Sequence, residues 1–134
     1  MRYLLDTNIL IYIMKHESPA ELRLARLRPG DAGMSIVTYL ELVYGALKSQ
    51  RPRENLAQGE QLENLIHVLP LDKGAASHYA LLRKTLEQRG SPIGALDMLI
   101  AAHALSLGLI LVTNNTREFA RVEGLRVENW AATP

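Results

Sequence analysis

Residues 95–115 of the chain, ALDMLIAAHALSLGLILVTNN, carry its clearest structural signal. The apolar stretch Ala95–Leu107 is rich in good helix formers. Gly108 follows it, and glycine best tolerates the left-handed conformation at a helix C-terminus. Residues 109–113 are apolar and partly β-branched, which is typical of a buried strand. The segment therefore predicts a buried helix that leads directly into a buried strand.

The same alternation of helices and short apolar strands continues through the rest of the chain. Such alternation is typical of α/β proteins with a mostly parallel sheet. With 134 residues, we expect one domain that spans residues 1–134. Further strands are predicted at residues 3–5, 33–36, 68–71 and 127–130, the last of them at a sheet edge. Further helices are predicted at residues 9–14, 37–49, about 54–66, 75–88 and 117–121, and another begins at residue 18.

Composition excludes several classes of protein. The 48% hydrophobic and 22% charged residues are close to a globular average, which argues against disorder. The absence of cysteine excludes disulfides, thiolate metal sites and cysteine nucleophiles. The longest apolar tract, residues 98–112, is too short for a membrane span, and Asp6 interrupts the first apolar stretch too early for a secretory signal. We therefore expect a soluble cytoplasmic protein with no membrane segment.

Three acidic residues fall where an α/β sheet binds its ligands, outside the carboxyl ends of the strands. Asp6 follows the first strand, Glu41 lies in the helix after the second, and Asp97 begins the helix that leads back to the fourth. Each also has a structural explanation. Asp6 can cap a helix, Thr38-x-x-Glu41 matches a capping box, and Asp97 lies in a first helical turn, where a carboxylate is favourable.

Considered together, the three acids favour a metal site. All three lie beside strongly apolar sequence, and a carboxylate drawn toward a core is costly unless it is paired or binds a metal. Carboxylates brought together also repel one another and raise one another's pKa. Oxygen ligands without cysteine or a histidine cluster suit Mg²⁺ or Mn²⁺ better than Zn²⁺. Such ions hydrolyse phosphodiesters by activating water and neutralising the phosphate.

Four motifs follow one another along the chain: Leu5-Asp6-Thr7-Asn8, Ser35-x-x-Thr38-x-x-Glu41-Leu42 with Gly45, Asp97-x-x-Ile100-Ala101-Ala102-x-Ala104, and residues 111–119, LVTNNTREF. Together, and in this order, they resemble the PIN-domain family and, more narrowly, the VapC toxins of bacterial VapBC toxin–antitoxin pairs. The resemblance covers essentially the whole chain.

This resemblance implies a three-layer α/β/α sandwich with a mostly parallel central sheet. It also implies an Mg²⁺-dependent endoribonuclease, with Mn²⁺ able to substitute, that acts as a homodimeric toxin. A VapB-type antitoxin is implied as the inhibitor, and DNA contact is expected only through that antitoxin. The substrate that the resemblance suggests is RNA, most specifically the anticodon loop of a transfer RNA.

Carried over residue by residue, Asp6, Glu41 and Asp97 match the metal-binding acids of the family. The position of the family's fourth acid holds Asn115, which has an amide oxygen but no negative charge. We therefore expect one well-bound Mg²⁺ and a second ion that is weak or recruited by the substrate phosphate. The structural alternative for Asn115 is a helix N-cap, with Glu118 at the third helical position.

Five further residues are expected to support the acids. Thr7, Asn8 and Thr113 are predicted to orient the metal ligands from behind. Arg117 and Arg121 lie just beyond the site in sequence and are predicted to bind RNA phosphates.

No metal-ligand spacing is found among the four histidines, His16, His67, His78 and His103. His103 lies on an apolar helix face and is interpreted as a core histidine.

Two other functions remain open at this point. One is a PIN nuclease that acts in RNA processing without an antitoxin. The other is a non-catalytic module that binds RNA or a partner, which the neutral Asn115 favours. A nucleotide-binding domain is disfavoured, because no glycine-rich phosphate loop is present.

Overall fold

The computed structural model describes residues 1–16 and 18–131, so Glu17 and the last three residues of the expected domain lie outside the described part. Within it, five strands form one sheet in which every neighbouring pair is parallel. The strand order is β3-β2-β1-β4-β5. The strands are β1 (Tyr3–Leu5), β2 (Ala32–Ser35), β3 (His67–Leu69), β4 (Ile110–Val112) and β5 (Val127–Glu128).

Helices fill the connections between the strands. They are α1 (Thr7–Lys15), α2 (Ala20–Ala25), α3 (Ile36–Leu47), α4 (Pro52–Leu62), α5 (Lys73–Gln88), α6 (Ala95–Leu107) and α7 (Thr116–Phe119). The type and order of the predicted elements are confirmed, and Gly108 ends α6 with a φ of 67° as expected. Several predicted ends lie about two residues beyond the observed ones, including those of β3, β5, α3 and α7. The largest difference is at α4, which ends at Leu62 because tight turn hydrogen bonds follow and carry Ile66 into the core. In the described part, no helix is both long and apolar enough to cross a membrane.

The sheet has a separate hydrophobic core on each face, which produces the three layers. Leu4 and Leu111 belong to the core formed with α5 and α6. Leu5 and Val112, their neighbours in sequence, belong to the core formed with α1, α2 and α4. Successive side chains of a strand point to opposite faces, and all four are fully buried. The predicted α/β/α sandwich with a parallel sheet is therefore confirmed.

The chain reverses its direction of strand addition between β1 and β4. From β1 the chain adds β2 and then β3 on one side, whereas β4 and β5 lie on the other. In open α/β sheets the crevice at such a switch point is where ligands bind. Asp6 leaves β1 at this crevice, and its backbone N–H still donates to the Val112 carbonyl across a distance of 2.8 Å. The carboxyl ends of β1 and β4 therefore present their next residues side by side.

Candidate active site

Asp6 lies at the centre of the crevice and is only 4% exposed. Its Oδ1 accepts a hydrogen bond from the Thr7 N–H (2.8 Å), and its Oδ2 accepts one from Thr113 Oγ1 (2.7 Å). Burial raises the pKa of Asp6, while these two hydrogen bonds oppose the increase. Asp6 is also the N-cap of α1, as its position in sequence suggested. Capping and site formation are thus compatible, because the carboxylate has lone pairs left for a further ligand.

Glu41 reaches the same crevice from α3. Its Oε1 accepts a hydrogen bond from Thr7 Oγ1 at 2.9 Å. The capping-box explanation for Glu41 is wrong, because α3 begins at Ile36 and Ser35 caps it by accepting from the Val37 N–H. Thr38 is already the third helical residue, and its buried hydroxyl has no hydrogen-bond partner. The polar contact of Glu41 is therefore to another helix and not to its own.

Asp97 occupies the first turn of α6 and is partly buried. Its pKa is raised to about 6, mainly by burial and then by the negative charges of Asp6, Glu118 and Glu41. Charges that act on one carboxyl in this way have to lie near it. The fold therefore brings the three predicted acids together, although more than 90 positions separate Asp6 from Asp97 in the sequence.

Glu118 is a fourth acid of this cluster, and the sequence reasoning gave it only a helix-capping role. It acts on Asp97 both through its charge and through a hydrogen bond that a shared proton makes possible. Asn115 occupies the N-cap position before α7 but makes no side-chain capping bond, and its Nδ2 donates to Glu118 Oε2 at 3.3 Å. The sequence signal that was missed is the helical spacing between positions 115 and 118, which lets Glu118 stand beside the neutral Asn115. Glu118 thus brings a negative charge beside the neutral Asn115, and the expectation of one well-bound ion stays a prediction.

The threonines of the predicted support reach the acids, and the asparagine does not. The hydroxyl of Thr113 is fully buried, and it donates to Asp6 while it accepts from the Asn115 N–H (3.0 Å). Thr7 contacts both Asp6 and Glu41 as described above. Asn8 is exposed and donates instead to Asn114 Oδ1 at 2.9 Å, which ties α1 to the loop after β4.

The two predicted phosphate-binding arginines have different surroundings. Arg117 is exposed on α7, beside Glu118 in sequence, and makes no hydrogen bond or ion pair to a side chain within residues 1–16 and 18–131. Arg121 donates to the Pro92 carbonyl at 3.0 Å and lines a separate groove with His78 and Leu105. Of the two, Arg117 is therefore the one whose guanidinium is free for an anion.

The donor chemistry of the cluster fits a divalent cation such as Mg²⁺. Four carboxylates meet in a partly buried crevice, where their mutual repulsion is what a hard cation relieves. Across the described ranges, no three acidic or histidine side chains already stand at metal-ligand spacing. The hydrogen bonds of Asp6 and Glu41 to the threonines hold those carboxylates in separate orientations. An ion held by three of these side chains would therefore require them to move toward a common centre.

A family model described as the PIN domain matches residues 3–125. The chain therefore belongs to the PIN-domain family. Within the family it groups with the VapC ribonucleases, as the sequence motifs predicted.

Individual relatives match over nearly the whole chain. A Shigella flexneri protein named tRNA(fMet)-specific endonuclease VapC is 47% identical over 131 residues, which are 98% of this chain and 99% of that protein. The crystal structure of DNA-bound VapBC from Salmonella typhimurium has a TM-score of 0.91 and 40% identity, covering 97% of this chain and 98% of its own. The structure of VapBC-1 from nontypeable Haemophilus influenzae has a TM-score of 0.89 and 38% identity, and the match covers 98% of this chain and 100% of that chain.

Proposed function

We propose that the protein is the toxin of a type II toxin–antitoxin pair, a divalent-metal-dependent endoribonuclease that uses Mg²⁺ or Mn²⁺. Its proposed substrate is the anticodon loop of a transfer RNA, and its proposed inhibitor is a VapB-type antitoxin. The observation that carries the proposal is the meeting of Asp6, Glu41, Asp97 and Glu118 at the switch point of a PIN-type sheet. Residues 1–134 are proposed to form one domain that acts in the cytoplasm, where its substrate is found.

The proposed chemistry is hydrolysis of an RNA phosphodiester. A bound divalent cation supplies a water of lowered pKa and neutralises the charge on the scissile phosphate. Asp6, Glu41 and Asp97 are proposed as its oxygen ligands, and Glu118 adds a fourth carboxylate beside them. Arg117 is proposed to hold a neighbouring phosphate of the substrate. Water adds across the bond between phosphorus and the 3′-oxygen, which leaves a 5′-phosphate and a 3′-hydroxyl.

The choice of substrate is supported by the name of the Shigella relative, which specifies transfer RNA. RNA recognition generally targets single-stranded loops, whose bases and phosphates are exposed. The acids range from the buried Asp6 to the partly buried Glu41 and Asp97, so part of the cluster is accessible to such a loop.

The proposed partners are supported by two apolar surfaces. A groove of about 310 Å³ between α1, α3 and α4 is lined in part by Glu41, one of the acids of the cluster. On α3, Leu40, Tyr44 and Leu47 are each about 60% exposed and recur at helical spacing. Such apolar patches mark protein contacts, which supports both an antitoxin and a second copy of the chain as partners. Any contact with DNA is proposed to occur through the antitoxin.

The deciding experiment incubates purified protein with initiator transfer RNA in the presence of Mg²⁺, with EDTA as the control, and maps the new 5′ ends. The wild type is expected to cut within the anticodon loop, and Asp6→Ala and Asp97→Ala are expected to stay folded and inactive. Cleavage by both variants would remove the active-site assignment. RNA binding without any cleavage would instead favour the non-catalytic module. Cleavage of unrelated RNAs, with no antitoxin gene adjacent, would favour a processing nuclease.

A further inference from the structure

A buried hydrogen bond connects two helices that carry acids of the site. His103 on α6 and Ser35 at the start of α3 are 68 positions apart, yet His103 Nδ1 lies 2.8 Å from Ser35 Oγ. Both residues are essentially inaccessible to solvent, at 1% and 0% exposure. A buried polar pair of this kind is directional and costly to break, so it fixes geometry more strictly than an apolar contact does.

The protonation of this pair follows from its neighbours. Ser35 Oγ already accepts from the Val37 N–H at 3.1 Å, which leaves its own proton available for His103 Nδ1. Burial lowers the pKa of His103, against smaller opposing effects of Asp72 and of the Pro70 backbone. The ring is therefore neutral near neutral pH, and its Nδ1 shares one hydrogen bond with the Ser35 hydroxyl, which can serve as donor or acceptor. Nε2 is buried and has no partner at hydrogen-bond geometry in the described part.

The positions of the pair relate it directly to the acids. His103 lies six positions after Asp97 on α6, and Ser35 lies six positions before Glu41 on α3. At a rise of about 1.5 Å per residue, each acid is roughly 9 Å along its helix from the hydrogen bond. One bond thus relates the two helices at a fixed distance from both carboxylates.

Next to the ring, α6 packs through small side chains (Ala101, Ala102 and Ala104), which form shallow ridges. Its larger buried side chains, Met98 and Ile100, pack in the core shared with α5. Apart from the proton that Asp97 can share with Glu118 and a weaker interaction of the ring with the Pro70 backbone, the bond to Ser35 is the one side-chain hydrogen bond from α6 to another element in residues 1–16 and 18–131. The negative charges of Asp6, Glu118 and Glu41 repel the Asp97 carboxylate, so repulsion opposes its position in the cluster.

We propose that Ser35 and His103 form a positioning pair that sets the axial position of α6 relative to α3, and thereby the distance of Asp97 from Glu41 and Asp6. Asp6 and Glu41 are already connected through Thr7, whereas Asp97 is not part of that chain of hydrogen bonds. Metal sites and catalytic geometry tolerate errors of only about 0.5 Å, so a loss of this restraint affects the site at a distance. This inference rests on the proposed function.

The test compares two substitutions of the same buried ring. His103→Leu fills the space without a hydrogen bond, whereas His103→Asn places an amide near the position of Nδ1 and keeps the bond to Ser35. Mn²⁺ affinity is measured by electron paramagnetic resonance without RNA, and kcat and KM are measured with RNA. His103→Leu is expected to bind Mn²⁺ about 10-fold more weakly and to lose kcat with little change in KM, a loss typical of residues that orient metal ligands. His103→Asn is expected to recover most of both.

Two further variants separate positioning from stability. Leu86→Ala removes a buried side chain of α5 in the same core and is expected to lower the unfolding midpoint while leaving Mn²⁺ affinity unchanged. Ser35→Gly removes the hydroxyl but keeps an acceptable N-cap, and it decides the question if His103→Leu does not fold. It is expected to show the same loss as His103→Leu, with no further loss in the double variant.

Wild-type Mn²⁺ affinity in His103→Leu, or in Ser35→Gly where the former does not fold, overturns the inference, as does an equal loss in His103→Asn and His103→Leu. These outcomes differ from failure of the proposed function. In that case the wild type itself neither binds Mn²⁺ nor cleaves RNA.

Discussion

Thr7 connects two acids of the site at once, because its hydroxyl donates to Glu41 Oε1 at 2.9 Å while its backbone N–H donates to Asp6 Oδ1 at 2.8 Å. The residue thereby relates the first turn of α1 to the middle of α3. Since Asp6 also accepts from Thr113, a continuous chain of hydrogen bonds runs across the carboxyl ends of three strands. The donors in this chain are neutral groups of Thr7 and Thr113, so they hold the carboxylates in place without neutralising their charge.

Removal of the Thr7 hydroxyl is expected to release Glu41 and leave Asp6 in place. Thr7→Val keeps the shape and the backbone N–H, so we expect a kcat roughly 10- to 100-fold lower, the range for residues that orient metal ligands. Thr7→Ser keeps the hydroxyl and is the matched control, with near-wild-type turnover. Steady-state cleavage of a labelled RNA measures both. Equal activity of the valine and serine variants would show that the hydroxyl does not act on Glu41.

Glu118→Gln is expected to impair the site and to stabilise the metal-free fold. The substitution removes one of the charges that repel Asp97, and it keeps a side chain that Asn115 can contact. Urea unfolding in EDTA should shift to higher urea at pH 7, while cleavage falls by roughly 10-fold or more. Glu123→Gln is the control, because Glu123 is 77% exposed and pairs only with Arg89 in the described part. Unchanged cleavage in Glu118→Gln would exclude it from the site.

The stability of the metal-free protein is expected to fall as pH rises from about 4 to 6. The pKa of Asp97 is about 6 in the folded protein and near its ordinary value of 3.8 in the unfolded chain. Between these values the folded state keeps a proton that the unfolded state has released, so rising pH favours unfolding. Above about pH 6 the contribution levels off. Urea titrations of wild type and Asp97→Asn measure it, and the wild type should lose more stability across this window. If stability changed with pH in the same way in both proteins, the raised pKa would not belong to Asp97.

Mg²⁺ is expected to stabilise the folded wild type. At ten times its Kd, a ligand that binds only the folded state adds about 1.4 kcal/mol, which corresponds to roughly 4–8 °C in Tm for a chain of this size. Asp97→Asn removes a carboxylate and should lose most of this shift. Differential scanning calorimetry with and without MgCl₂ provides the measurement, and NaCl of matched ionic strength is the control. A shift that persists in Asp97→Asn would place the ion elsewhere.

The two arginines are expected to differ in their effect on RNA affinity. Arg117 is free of side-chain partners in the described part, so Arg117→Ala should raise KM and lower the slope of log affinity against log salt by about 0.7 per lost phosphate contact. Arg121 is bonded to the Pro92 carbonyl, so Arg121→Ala should leave the salt slope unchanged. Both substitutions are combined with the inactivating Asp6→Ala, and filter binding of RNA at several salt concentrations measures the slope for each. The opposite ranking would reassign the phosphate contact.

Hydrophobic patterning predicted the element order, the parallel sheet and the end of α6 at Gly108, because these depend on local sequence. Apolar runs of strand length, helix formers and a glycine act within a few residues of where they stand. The boundary of α4 was predicted less well, since Ile66 is drawn into the core by packing that the local pattern does not contain. The prediction that Asp6, Glu41 and Asp97 face the edge formed by the carboxyl ends of the strands followed from the same order of elements and from the ligand rule for α/β sheets.

The sequence by itself therefore determined the family, the sheet and three of the acids. Only the tertiary structure decided that Glu118 stands beside Asp97, that Thr7 reaches Glu41 and that Ser35 meets His103. The latter two pairs join residues 34 and 68 positions apart, and in each case the contact depends on how one helix is rotated against another. That rotation is set by packing across the whole core, which no short stretch of sequence specifies.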